Sequence, residues 1–235
     1  VEKYPVDLIS AIDGLAYNCP PVEKLLGQVL AQLLPNISQK QACQIILKLN
    51  TVPTQIEPFL NENYNLKESR IALVKLYQER ALIGLTETIP QLLNLCLDCS
   101  IDVARHASWA ILSLVEKKHF INYGDFLPIL TESRVVGVRQ NCLKAMLEQM
   151  NLQNSANLQI VLQIFDIFAN ETAPEVVQQM YILADCCIWK HPSGSHQVDV
   201  KVAEAVLKFT QKILTVADNQ KELLDMVTKK AFICL

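Results

Sequence analysis

An all-α fold is what this 235-residue sequence predicts, and three observations carry it. Apolar residues recur at three- and four-residue steps along nearly the whole chain, the spacing that gathers them on one side of a helix. Only six glycines occur, and no run alternates apolar with polar residues as a half-buried strand does. One helical pattern, clearest in Ile101–Lys118, returns about 35 residues later.

The elements follow in order from spacing and breakers. Val6–Tyr17 has helical spacing and stops at Asn18-Cys19-Pro20-Pro21. Val22–Leu34 follows, with Leu25, Leu26, Val29, Leu30 and Leu33 as its apolar stripe, and Pro35 ends it because proline has no backbone donor. Ser38 is a good N-cap for Gln39–Leu49, where Ala42, Ile45, Ile46 and Leu49 lie together. Asn50–Lys67, with Pro53, Pro58 and four asparagines, is the least regular stretch and holds a short helix near Ile56–Leu60. Glu68–Gly84 and the shorter Ile89–Asp98, opening near Pro90, lead to Ile101–Lys118. Phe126–Glu132, Val136–Met150, Asn157–Asn170 and Pro174–Lys190 continue the alternation of short and long helices. His191-Pro-Ser-Gly-Ser-His196 is the clearest loop, and Val200–Val216 and Gln220–Ile233 are the last helices.

Composition narrows the class. Hydrophobic residues make up 51% and charged residues 19%, and mean hydropathy is +0.20, which calls for helices buried on more than one side, as in stacked layers. No apolar run approaches the roughly 20 residues of a membrane span, so a soluble protein is expected. A net charge of −3 and a pI near 5.8 deny the long-range positive field of a general nucleic-acid binder. Eight cysteines lie mostly inside helical patterns rather than in a short loop-rich frame. A reducing compartment, cytoplasm or nucleus, is the expectation. The apolar ends, Val1 and Ile233-Cys234-Leu235, read as those of a fragment of a longer protein.

The repeat chooses among all-α architectures. Asp102–Lys117 aligns with Gly137–Met150, pairing Val103 with Val138, Ala107 with Cys142, Ala110 with Ala145 and Ile111 with Met146. A third copy begins near Glu175-Val176-Val177, and the preceding helices carry Pro90 and Pro128. Stacked units of this kind bury a continuous core that one helix pair cannot bury alone. The pattern resembles the armadillo and HEAT helical-repeat families, best over Thr88–Met150. The resemblance implies a right-handed solenoid of about five to six units, with residues 1–235 as a single domain. A compact helical bundle is the competing architecture, and it predicts no steady period.

On the repeated helix, Val103, Ala107, Ala110, Ile111 and Leu114 share one face, and Arg105, Trp109 and Glu116 lie opposite, flanked by Leu112 and Ser113. One repeat on, Gln140 takes the place of Arg105, Lys144 that of Trp109 and Glu148 that of Ser113. Trp109-Ala-Ile-Leu-Ser113 is similar to the tryptophan-and-asparagine pattern of the importin alpha groove, where tryptophans sandwich lysine stems of an extended peptide. Ser113 stands where that family has asparagine, and Lys144 and Glu148 break the array. The resemblance therefore implies a partner-binding face at Arg105, Trp109, Ser113, Gln140, Lys144 and Glu148, without the nuclear-signal specificity. An exposed tryptophan beside an arginine is a common interface anchor; the plainer reading packs Trp109 against a neighbouring unit or loop.

Chemistry-bearing residues are sparse. Cys96-Leu-Asp-Cys99 has the CxxC spacing of redox and zinc sites but lacks a second ligand pair, and on a helix such cysteines serve as small core residues. Cys186, Cys187, His191 and His196 are the better metal candidate, although adjacent cysteines on a helix point about 100° apart. Asp98 and Asp102 have no basic or histidine partner beyond His106 and read as charges favoured at a helix start. No phosphate-binding glycine loop, nucleophile elbow or HExxH helix occurs. No enzyme activity, metal or cofactor is expected. The expected function is a protein–protein interaction scaffold holding a partner peptide or helix; the alternative is a structural segment of a larger assembly that contacts neighbouring segments or itself. Nucleic-acid binding would need more outward cations than Arg105, Arg139 and Lys144.

Overall fold

The computed structural model describes residues 20–153, 157–189 and 200–216, with positions 225 and 227. Among the described residues every regular element is helical, with eleven α-helices, three short 3-10 turns and no strand. The all-α expectation holds. The helix expected at Val6–Tyr17, the loop at His191–His196 and, apart from positions 225 and 227, the helix at Gln220–Ile233 lie outside the described residues. The chain forms two compact units that divide between Ala110 and Ile111.

In the first unit, α1 (Pro20–Leu33) runs into a 3-10 turn at Leu34–Asn36 that contains Pro35. Leu26 and Leu30 are fully buried, each contributing about 1.5–3 kcal/mol through lost apolar exposure. Leu25, expected in the same stripe, is 52% exposed. Its neighbour Gly27 faces the 3-10 turn at Thr54–Ile56, where a Cβ would stand 3.1 Å from Pro53 Cβ. That close approach fixes which side of α1 is covered. Ser38 caps α2 (Gln39–Lys48), its Oγ accepting from the Gln41 amide at 3.4 Å.

The stretch from Asn50 to Lys67 contains the 3-10 turn and a short α3 (Glu57–Glu62), close to the helix read from the sequence. It is tied to α4 (Lys67–Leu82) by polar contacts: the Val52 amide donates to Glu79 Oε2 at 2.9 Å, and Arg80 pairs with Glu57 at 2.7 Å. Lys75 Nζ also donates to the Leu49 carbonyl. Pro58 in α3 and Pro90 in α5 (Ile89–Leu95) sit in the first turn, where no intrahelical N–H is required. α4 packs on α2, α3 and α5, and it is buried around most of its circumference, through Ala72, Leu73, Val74, Leu76, Tyr77 and Ala81.

The chain passes from the first unit to the second along α6 (Ile101–Glu116). The sequence extended this helix to Lys118; it ends at Glu116 because Lys118 adopts φ +69° and closes a Schellman turn. There His119 N donates to the Leu114 carbonyl at 3.0 Å and Lys118 N to the Val115 carbonyl at 2.8 Å. α4 ends the same way, with Gly84 at φ +98°.

The second unit contains α7 (Tyr123–Glu132), α8 (Val136–Gln153), α9 (Leu158–Ile167), α10 (Pro174–Trp189) and α11 (Val200–Val216). α7 begins three residues before the Phe126 expected from the sequence, because Asn122 caps it, accepting from the Gly124 amide at 3.1 Å. Pro128 is exposed, so the bond it cannot donate is missing on the outer side. α8 packs on α7 and α10, and α10 packs on α9 and α11. Val138, Cys142, Ala145 and Met146 of α8 are all fully enclosed, as are Val176, Met180, Leu183 and Ala184 of α10. Two polar contacts lock the packing. Gln149 both accepts from the Ile121 amide at 2.9 Å and donates to its carbonyl at 2.7 Å, and Tyr181 shares a 2.7 Å hydrogen bond with Thr210.

Candidate functional site

α6 presents two chemically distinct sides. Val103, Ala107, Ala110, Ile111 and Leu114 are buried, as the spacing predicts, and Leu112, expected to flank the open side, is buried as well. The side left to solvent in the first unit carries Ile101, Asp102, Arg105, His106 and Trp109, with Trp109 61% exposed. Trp109 therefore does not pack into the core. Asp102 is bridged by Lys67 of α4 at 3.0 Å, and the hydrogen bond together with the opposite charge holds the Asp102 carboxyl below its ordinary range and lifts Lys67. The His106 Nδ1 lies 2.7 Å from the Asp102 carbonyl.

In the second unit, Ser113, Gln140, Lys144 and Glu148 are each partly buried. Arg139, counted with the outward cations, is not one of them. Its side chain is 13% exposed, and it pairs with Glu171 at 2.8 Å while donating to the Ser133 carbonyl at 3.0 Å. Glu171 in turn accepts from the Thr172 and Ala173 amides at 3.1 and 2.9 Å, just ahead of α10. These two residues wall a cleft of about 350 Å³ together with Leu130, Ser133, Phe168 and Asn170. Their charges neutralise each other.

The first unit contains the same arrangement. Arg70, fourth residue of α4 as Arg139 is of α8, donates to the Tyr64 carbonyl six residues earlier at 2.7 Å. Its guanidinium pairs with Asp98 at 2.7 Å, and Asp98 accepts from the Ser100 amide at 2.7 Å just ahead of α6. Asp98 and Asp102 thus do have basic partners, Arg70 and Lys67, contrary to the sequence expectation. The signal was present as an arginine four residues into one helix and an acid three residues before a later one. Spacing within a single helix does not reveal it.

Comparison of the chain with protein-family models, curated proteins and solved structures finds no match.

The cysteines and histidines divide as follows. α5 stops at Leu95, so Cys96 and Cys99 lie in the turn beyond it rather than on a helix; Cys96 is buried and Cys99 exposed. Cys186 is partly buried, its Sγ 3.4 Å from Asn151 Oδ1, and Cys187 is buried; His191 and His196 lie outside the described residues. Among the described residues no group of three or more His, Cys, Asp or Glu is placed to hold a metal ion. Burial pushes the Cys43 thiol up, away from the thiolate that reacts or ligates. No helix among the described residues is long and apolar enough to cross a membrane.

Proposed function

We propose that this chain is a non-enzymatic protein–protein interaction scaffold, built as a helical-repeat solenoid of armadillo/HEAT type with about five to six units. The face of α6 that carries Arg105 and Trp109 is its docking surface. The observation that carries this reading is Trp109 at 61% exposure, one helical turn from Arg105 and two from Ile101. Large aromatic and arginine side chains supply most of the energy of protein interfaces, and an isolated tryptophan in water forgoes its apolar burial. Support for the repeat comes from the buried positions shared by α8 and α10 and from the recurring arginine–acid pairs at Arg70–Asp98 and Arg139–Glu171. We place the protein in the cytoplasm or nucleus, within a larger complex.

The test compares the full chain with Trp109→Ala in affinity capture and in thermal unfolding. A docking role predicts loss of the captured partner with a melting temperature close to wild type, since exposed substitutions usually stay within about 0.5 kcal/mol. Unchanged capture, or a large fall in melting temperature, would remove Trp109 from the interface. A second reading, a structural segment that contacts its neighbours or itself, is favoured by apolar side chains exposed on connections, Ile83 at 77% and Phe120 among them. Concentration-dependent sedimentation that is unaffected by the Trp109 variant would support it.

A further inference from the structure

On the open side of α6 in the first unit, the nearby opposite charge that Arg105 feels is Asp102, which Arg105 stabilises electrostatically without forming an ion pair. Asp102, three residues before Arg105 on the same helix, is already engaged by Lys67 at 3.0 Å. Arg70, the other nearby guanidinium, is taken by Asp98. Among the described residues Arg105 makes no ion pair, and it stands between two exposed apolar side chains, Ile101 and Trp109. The three follow at i, i+4 and i+8, so they are spaced about 6 Å apart along the helix axis. Alternate residues of an extended chain point to one side about 6.6 Å apart, nearly the same step.

We infer that the partner segment is extended and acidic at its centre, with the pattern apolar–x–Asp/Glu–x–apolar. The central carboxylate pairs with the Arg105 guanidinium, and the flanking apolar side chains cover Ile101 and Trp109. A carboxylate is selected over a neutral or basic residue for two reasons. It completes a planar, bidentate pair with a guanidinium that makes no ion pair among the described residues. A lysine at the centre would instead bring a like charge against Arg105. Apolar closure on both sides excludes water from the pair, which strengthens it. This inference rests on the reading of the Trp109 face as a docking surface.

The experiment uses the isotope-labelled full chain and follows the indole N–H signal of Trp109, assigned by its disappearance in Trp109→Phe. Three synthetic peptides are titrated, Leu-Ser-Z-Ser-Leu with glycine flanks, where Z is Glu, Gln or Lys. Binding of the Glu peptide about tenfold or more tighter than the Lys peptide is expected, the scale of a charged hydrogen bond. Arg105→Glu should reverse the order while circular dichroism and melting temperature stay unchanged. Equal binding of all three peptides at the Trp109 signal would overturn the acidic preference and leave the docking surface standing. Preference for the Lys peptide would overturn it too. Failure of every peptide to shift the Trp109 signal overturns the inference, and the capture experiment with Trp109→Ala then decides separately whether the docking surface survives.

Discussion

Removing Arg139 tests whether the arginine–acid pair holds the second unit together. The side chains of Arg139 and Glu171 are 13% and 10% exposed, so their charges sit largely out of water. Arg139→Met keeps the apolar stem but strips Glu171 of its counter-charge and the Ser133 carbonyl of its donor. Breaking a buried pair from one side costs about 3–5 kcal/mol. Glu171 still accepts from the Thr172 and Ala173 amides, which softens the loss, so about 3 kcal/mol is expected. Glu171→Gln leaves an uncompensated guanidinium and should cost a similar amount, about 2–3 kcal/mol. The double variant removes both charges, so its loss should be at least about 1 kcal/mol smaller than the sum of the single losses. Urea unfolding followed by far-ultraviolet circular dichroism reads this as a midpoint shift of about 1 M or more for either single variant. Both residues lie in the second unit, so the shift is read from the transition that reports on that unit. Strict additivity, or a single-variant loss below about 0.5 kcal/mol, would refute the reasoning. The same cycle on Lys67 and Asp102, an exposed pair, should produce no measurable midpoint shift.

Three further outcomes are expected. Gln149→Leu leaves the buried Ile121 amide and carbonyl without partners and should cost about 2–4 kcal/mol, with faster amide exchange at Ile121; a loss under about 0.5 kcal/mol would show that the contact is dispensable. Lys118→Gly relieves a left-handed conformation and should stabilise by about 0.5–1 kcal/mol, whereas Gly84→Ala should destabilise by about 1 kcal/mol through the backbone alone, because a Cβ there would meet nothing within 4 Å; denaturant midpoints moving the other way would contradict this. Burial, reinforced by the charge of Glu57, raises the Tyr77 phenol, and burial raises Tyr123. Their folded pKa values exceed the unfolded ones, so the native state keeps protons that the unfolded chain has released, and stability falls as the pH rises above about 10. Tyr77→Phe should flatten that alkaline decline, and an unchanged pH profile would assign it to other groups.

Helices and their starts were legible because the forces that set them are local. Ser38 as a cap, Pro90 in a first turn and the apolar spacing around Val103 and Val138 involve only residues within a turn or two of each other. The buried side of α6 followed from the same period. Helix ends were less legible: α6 stops at a lysine in a glycine-like conformation, which no propensity marks, and α7 begins at a cap upstream of its proline. For the candidate surface, the sequence located Arg105 and Trp109 opposite the core of α6, and both are exposed.

What the sequence by itself determined is the helical class, the order of the described elements and the buried side of α6 through Val103, Ala107, Ala110, Ile111 and Leu114, because 3.6-residue periodicity is written residue by residue. Only the tertiary structure decided which charges are free. Arg139 and Arg105 look alike in sequence, yet one is enclosed against Glu171 and the other faces water. Asp98 was assigned to a helix start, and its decisive partner, Arg70, lies 28 residues away. Leu25 and Cys99 were assigned to the core and are exposed, because the neighbours that would cover them come from other parts of the chain. Burial of a charge, or exposure of an apolar side chain, depends on which distant segment arrives beside it, and helical periodicity within one segment does not encode that.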